Sequence, residues 1–135
     1  MTSQKIVTSG KRKAAIARAS LVPGSGKVFI NKVPYENLNL FNKLKIQEPL
    51  SLTESVVGKN NFDVKIFVRG GGEKSQIEAA RLSLAKAILE FTGSKELKNV
   101  FIAYDRNLLI ADVRRKETYK PGDSKARAKR QTSYR

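Results

Sequence analysis

Three stretches of this 135-residue chain carry side chains suited to chemistry on an anion. Lys11, Arg12 and Lys13 are consecutive, Arg18 follows, and no acid occurs before Glu36. Gly70, Gly71 and Gly72 stand just ahead of Lys74 and Gln76. The stretch KARAKRQTSYR holds Lys125, Arg127, Lys129, Arg130 and Arg135, with no acid and no aliphatic residue larger than alanine. The chemistry these types offer is recognition. Guanidinium forks bind phosphate bidentately, and the planes of arginine and of tyrosines such as Tyr119 and Tyr134 stack on unpaired bases. The glycines remove every Cβ from a strand-to-helix connection, so a phosphate can approach the first N–H groups of the helix. A tight turn that needs positive φ explains the same glycines.

Other chemistries are disfavoured by what is missing. The chain has no cysteine and no histidine, which removes disulfides, thiolate chemistry and the usual zinc and iron ligands, together with the commonest acid/base group at neutral pH. Gly24-Ser25-Gly26-Lys27 resembles the end of a phosphate loop. That motif requires Gly where Leu21 stands and Ser or Thr where Val28 stands, so it reads as a plain turn. The carboxylates are scattered in sequence, with Glu78 expected in a helix cap, Glu90 at a helix end and Asp105 beside Arg106. The expectation is therefore no catalytic residue, metal, cofactor or small-molecule substrate.

The elements that must position these residues follow from charge and periodicity. Net charge is +15, and it is concentrated at the two ends. Residues 21–113 carry 13 bases against 10 acids, whereas residues 114–135 carry 9 bases against Glu117 and Asp123. A chain of this kind seeks a polyanion with its ends and folds with its middle. Alternation over residues 14–22 predicts a strand, the turn Pro23 to Gly26 and the strand KVFIN a hairpin with it, and Pro34 to Pro49 short helical turns. FDVKIFVR places Phe62, Val64, Ile66 and Val68 on one strand face. A helix follows, with an S-x-x-E capping box at Ser75 and Glu78 and a left-handed cap at Gly93, then a shorter helix over SKELKNVFIAY. From Arg114 the apolar pattern stops, which predicts a globular domain over 1–113 and an extended basic tail over 114–135, unable to bury a core of its own. No apolar run reaches the ~20 residues that span a bilayer, and no signal-peptide stretch opens the sequence, so a cytoplasmic protein is expected.

The stretch GGGEKSQIEAARLSLAKAI resembles the signature of the small-subunit ribosomal protein nine family: three glycines, a small residue before Gln76, and small residues at set intervals before Lys86. SGKRKAAIARASLVPGSGKVFIN, Glu48-Pro49-Leu50 and YDRNLLIADVRRKE resemble further segments of that family, and KPGDSKARAKRQTSYR resembles its archaeal and eukaryotic branch, an archaeal source being favoured. The resemblance implies an α+β fold: a two-layer α/β sandwich with a left-handed β-α-β crossover, like domain two of small-subunit ribosomal protein five, plus an extended C-terminal tail. It implies a structural constituent of the small-subunit head in the cytoplasmic ribosome, with ribosomal RNA, peptidyl-site transfer RNA and neighbouring head proteins as partners and no membrane.

Carried onto this chain, the ribosomal RNA contacts fall on Lys11, Arg12, Lys13, Arg18, Gly70, Gly71, Gly72, Lys74 and Gln76, and in the tail on Arg114, Arg115, Lys116, Lys120, Lys125, Arg127 and Lys129. The transfer RNA contacts fall on Arg130, Tyr134 and Arg135. The alternative is a protein subunit of a ribonucleoprotein enzyme similar to the ribonuclease P protein. That reading requires an arginine-rich core helix, and the best helix here carries Arg81 alone.

Overall fold

The structure, a computed structural model, describes residues 5–105 and 108–109. Its sheet starts with a strand that the sequence reading lacked. Ile6–Arg12 (β1) pairs antiparallel with Ala15–Pro23 (β2) through the two-residue connection Lys13-Ala14, with Arg12 opposite Ala15. Lys13 takes a positive φ of 53°, as such short hairpin turns demand. The alternation in β2 holds as expected: Ala15, Ala17, Ala19 and Leu21 are all buried.

The expected hairpin between β2 and the next strand does not form. Val28–Ile30 (β3) lies on the far side of Phe62–Arg69 (β5), in the order β1-β2-β5-β3-β4, where β4 is Val33–Pro34. The reason is local and polar. The Asp63 carboxylate accepts hydrogen bonds from the backbone N–H groups of Ser25 (3.1 Å), Gly26 (3.2 Å) and Lys27 (3.0 Å), and Gly24 N–H donates to the Asn61 carbonyl (3.1 Å). The turn is thus fastened to β5 and carries the chain past it. β5, with every residue of its apolar face buried, takes the central place beside β2.

β3 and β5 are parallel, and parallel neighbours need a long crossover. It runs through β4, one 3-10 turn at Tyr35–Asn37 and the helix Leu40–Val57 (α1). The expected short turns over Pro34 to Pro49 are therefore mostly one 18-residue helix, with Pro49 inside it. Its buried residues Ile46, Pro49, Leu50 and Thr53 recur at helical spacing, and tertiary packing of that stripe outweighs the proline's missing N–H. Asn39 caps the helix by accepting from Asn42 N–H at 3.0 Å.

Glu73–Thr92 (α2) follows β5 and lies across β1, β2 and β5. The expected capping box is absent. The helix begins three residues earlier, Gly72 is its N-cap, and no side chain caps it. Gly93 ends it in the left-handed region, as expected. Lys95–Tyr104 (α3), capped by Ser94, packs on α1. The core between sheet and helices is filled by Leu21, Phe62, Ile66, Leu84, Ile88 and Phe101, each worth about 1.5–3 kcal/mol when withdrawn from water. Leu108 also buries fully. The helices cover one face of the sheet and leave the other open, since the alternate residues Val7, Ile16 and Phe67 remain about half exposed. No described helix is long and apolar enough to cross a membrane.

Candidate nucleic-acid interface

Two cationic stretches far apart in sequence meet at one corner of the fold. The β1–β2 hairpin tip, Lys11 to Ala14, lies against the glycine turn that joins β5 to α2. A Cβ on Gly70 would stand 2.6 Å from the Ala14 carbonyl oxygen, and one on Gly71 would stand 2.9 Å from Ala15 N. Both residues also hold positive φ, 80° and 64°. Tight-turn geometry therefore accounts for Gly70 and Gly71. It does not account for Gly72, whose φ is −95° and whose Cβ would meet nothing within 4 Å. Open space lies in front of the first turn of a 20-residue helix that has no side-chain cap. Its leading N–H groups are the donors that a helix end offers to an anion. Lys74 is exposed on that first turn, Lys13 is exposed in the hairpin turn beside Ala14, and Lys11, also exposed, lies in the same hairpin on the strand's open side.

Two of the expected contact residues have internal duties at this corner. Arg12 is half-buried, and its Nε donates to Glu78 of α2 at 2.6 Å, clamping the hairpin onto the helix. Glu78 is thereby the partner of Arg12 and not a cap. Gln76 Nε2 donates to the Gly70 carbonyl at 3.1 Å and braces the glycine turn. Glu73, at the first position of α2, accepts from the side chains of Asn39 (3.0 Å) and Asn42 (2.8 Å) and ties the two helix N-termini together.

Arg18 sits elsewhere, on the open face of the sheet. There it pairs in register with Ser9 on one side and Phe67 on the other. The neighbouring rows place Lys11 beside Ile16 and Arg69, and Ser20 beside Lys65 and Phe29. Lys65, Phe67 and Arg69 were not among the residues read from the sequence. The signal was present, because an alternating strand whose Phe62, Val64, Ile66 and Val68 face the core presents Asp63, Lys65, Phe67 and Arg69 to the other side.

Arg81, in the middle of α2, is 6% exposed and donates to Glu48 of α1 and to Asp105 after α3, each at 2.6 Å. Asp105 is thus a partner of Arg81, and Arg106, beside which the sequence places it, lies outside the described residues. The three described helices contain no other arginine, and this one faces inward, so they present no arginine-rich surface of the ribonuclease P kind. Among the described residues, no group of three acidic, histidine or cysteine side chains is placed to hold a metal ion.

Sequence comparison decides which class of polyanion binder this is. The pattern described as ribosomal protein S9/S16 matches residues 10–135. The chain belongs to that family. Small ribosomal subunit protein uS9 of Methanococcus vannielii is 50% identical over 131 residues, covering 95% of this chain and 96% of that protein. The uS9 protein of Methanococcus maripaludis is 51% identical over 131 residues, with the same coverage. That of Sulfurisphaera tokodaii is 43% identical over 134 residues, 98% of this chain and 97% of its own. All three sources are archaeal, in agreement with the branch expected. As an S9/S16 protein the chain is a ribosomal protein and not an enzyme. The family match includes the basic segment 114–135, whose candidate contacts Arg114, Arg115, Lys116, Lys120, Lys125, Arg127, Lys129, Arg130, Tyr134 and Arg135 lie outside the described residues.

Proposed function

We propose that this protein is a structural constituent of the small ribosomal subunit, whose body docks on ribosomal RNA and whose basic segment extends that contact to peptidyl-site transfer RNA. The observation that carries the proposal is the corner at which the hairpin tip bearing Lys11 and Lys13 abuts the glycine turn ahead of Lys74, beside the uncapped start of α2 and the unhindered Gly72. Three long ammonium side chains and a set of fixed N–H donors suit a run of phosphates in a duplex or turn of RNA. Arg12 and Gln76 act behind this surface by holding the hairpin and the glycine turn in place. The domain over residues 1–113 supplies the docking body, and 114–135 supplies the segment in which Arg130, Tyr134 and Arg135 contact the transfer RNA backbone. Neighbouring proteins of the small-subunit head complete its surroundings, and its place of work is the cytoplasmic ribosome.

Phosphate contacts make a specific demand on salt dependence. Replacing Lys11, Lys13 and Lys74 together by alanine should weaken binding to small-subunit ribosomal RNA and lower the salt slope by about 1 per lysine removed. Filter binding over a salt series measures both, and an unchanged slope would remove this corner from the interface. For the transfer RNA contact, small subunits carrying the chain with Arg135→Ala should lose affinity for several peptidyl-site transfer RNAs to a similar degree. Equal affinity for all of them in variant and wild type would refute that part.

A further inference from the structure

The open face of the sheet is a second RNA surface of different chemistry, and the phosphate corner does not use its central residues. Phe67 is 50% exposed at the centre of that face. Two shallow depressions meet at its ring. One is lined by Ile16, Arg18, Asn31 and Arg69, the other by Phe29, Lys32 and Lys65, and Phe67 lines both. Asn31 is committed to the sheet, since its side chain accepts from Val68 N–H at 2.9 Å and donates to the Val68 carbonyl at 3.2 Å. The cations are not committed. The side chains of Arg18, Lys65 and Arg69 are exposed and make no ion pair or hydrogen bond among the described residues. Asp63 is the acid in the β5 row of this face, and the three N–H groups of the Ser25–Lys27 turn occupy its carboxylate.

We infer that Phe67 is a stacking platform for unpaired bases of RNA, with Arg18 and Arg69 on one side and Lys65 and Lys32 on the other holding the flanking phosphates. The inference rests on the RNA-binding reading above and assigns a separate site to it. Phosphate contact alone leaves the exposed ring unexplained, and a duplex hides the faces of its bases. An ordinary protein partner would meet a surface with uncompensated cations on both sides of its apolar centre, which must then be desolvated. Single-stranded nucleic acid satisfies both features, because every base offers a π-face and every nucleotide an anion.

The absence of tryptophan from the chain makes the test direct. In the full-length protein, Phe67→Trp places the sole indole on the platform, and Ile102→Trp, made separately, places it on the exposed side of α3 as a control. A short single-stranded oligoadenylate should quench the platform indole strongly, and a blunt RNA duplex of the same length should quench it weakly. The control indole on α3 should respond little to either. Phe67→Leu keeps the apolar bulk and loses the ring, so affinity for the oligoadenylate should fall roughly tenfold with an unchanged salt slope. Equal quenching of the two indoles by the single strand would overturn the inference, as would wild-type affinity in Phe67→Leu. Quenching of the platform indole by polyglutamate but not by oligoadenylate would overturn it too, in favour of an acidic protein segment. The two proposals separate cleanly. Quenching at position 67 that persists when Lys11, Lys13 and Lys74 are also replaced by alanine reports this site alone. Loss of ribosomal RNA affinity in that triple alanine variant, with the platform indole unquenched in the otherwise native chain, would leave the corner standing and remove the platform.

Discussion

At the scale of single residues, the charged side chains divide into those that hold the fold and those that face outward. Arg81 belongs to the first group. Its guanidinium joins α1 to the chain that follows α3 through Glu48 and Asp105, and its removal takes that shared cation from both carboxylates. Because those acids are partly exposed, Arg81→Met should cost roughly 2–3 kcal/mol, below the full penalty for breaking a buried pair. Urea unfolding measures this, and a midpoint equal to wild type would contradict the assigned role. Asp63 is an anion site satisfied from within. The backbone N–H of Lys27, with those of Ser25 and Gly26 behind it, holds its carboxyl below the ordinary value of 3.8. The folded state thus favours the ionised form, so the contribution is complete above about pH 4 and is lost as pH falls through the lowered value. Asp63→Asn should flatten that acid limb of the stability curve, and carboxyl titration by NMR should place the Asp63 midpoint below 3.8. A midpoint at or above the ordinary value would show that the turn does not hold the carboxylate.

At the scale of elements, β1 and α2 are in close contact, and small residues make that possible. Gly10 lies under α2, where an added Cβ would overlap the Ala79 carbonyl oxygen and stand 2.9 Å from Ser83 N. Thr8 Oγ1 donates to the Ser83 carbonyl at 2.7 Å beside it. Gly10→Ala should therefore destabilise by about 2–3 kcal/mol, since the obstacle is helix backbone that moves only with the whole element. Thermal melting checks this, and an unchanged Tm would mean that β1 can shift away from the helix. The elements differ in how far they were legible. The alternation of β5 and the left-handed cap at Gly93 carry short-range signals, and both stand where they were expected. β1 was missed because IVTSGKR mixes polar residues and a glycine, and only α2 lying above Gly10 makes it a buried strand. The capping box misled for a related reason, because the glycine turn braced on the hairpin tip starts α2 three residues early and frees Glu78 to bind Arg12.

At the scale of the whole molecule, charge and fold are organised separately. With +15 on 135 residues, the isolated protein should repel itself at low ionic strength and gain stability as salt screens that repulsion. Its Tm should rise by roughly 3–5 °C between low salt and a few tenths molar sodium chloride, corresponding to about 1 kcal/mol. A flat or falling Tm over that range would show that the excess charge is already spaced widely enough to be harmless. The same organisation underlies the two proposed surfaces, a phosphate corner at the hairpin tip and an aromatic platform on the open sheet face, each testable without the other.

What the sequence determined by itself was the class of partner, the absence of the residue types behind common catalysis, and the family. These follow from composition and from one long local signature, GGGEKSQIEAARLSLAKAI, and neither depends on how distant segments meet. The tertiary structure decided which cations face outward. Lys11 and Arg12 are adjacent in sequence, yet Arg12 is clamped to Glu78 and Lys11 is exposed, because successive side chains of a strand point to opposite faces and only one face is covered by α2. It also decided that the Gly24 to Lys27 loop does cradle an anion. That anion is Asp63, 36 residues from Lys27 in sequence, and only strand pairing brings the two together.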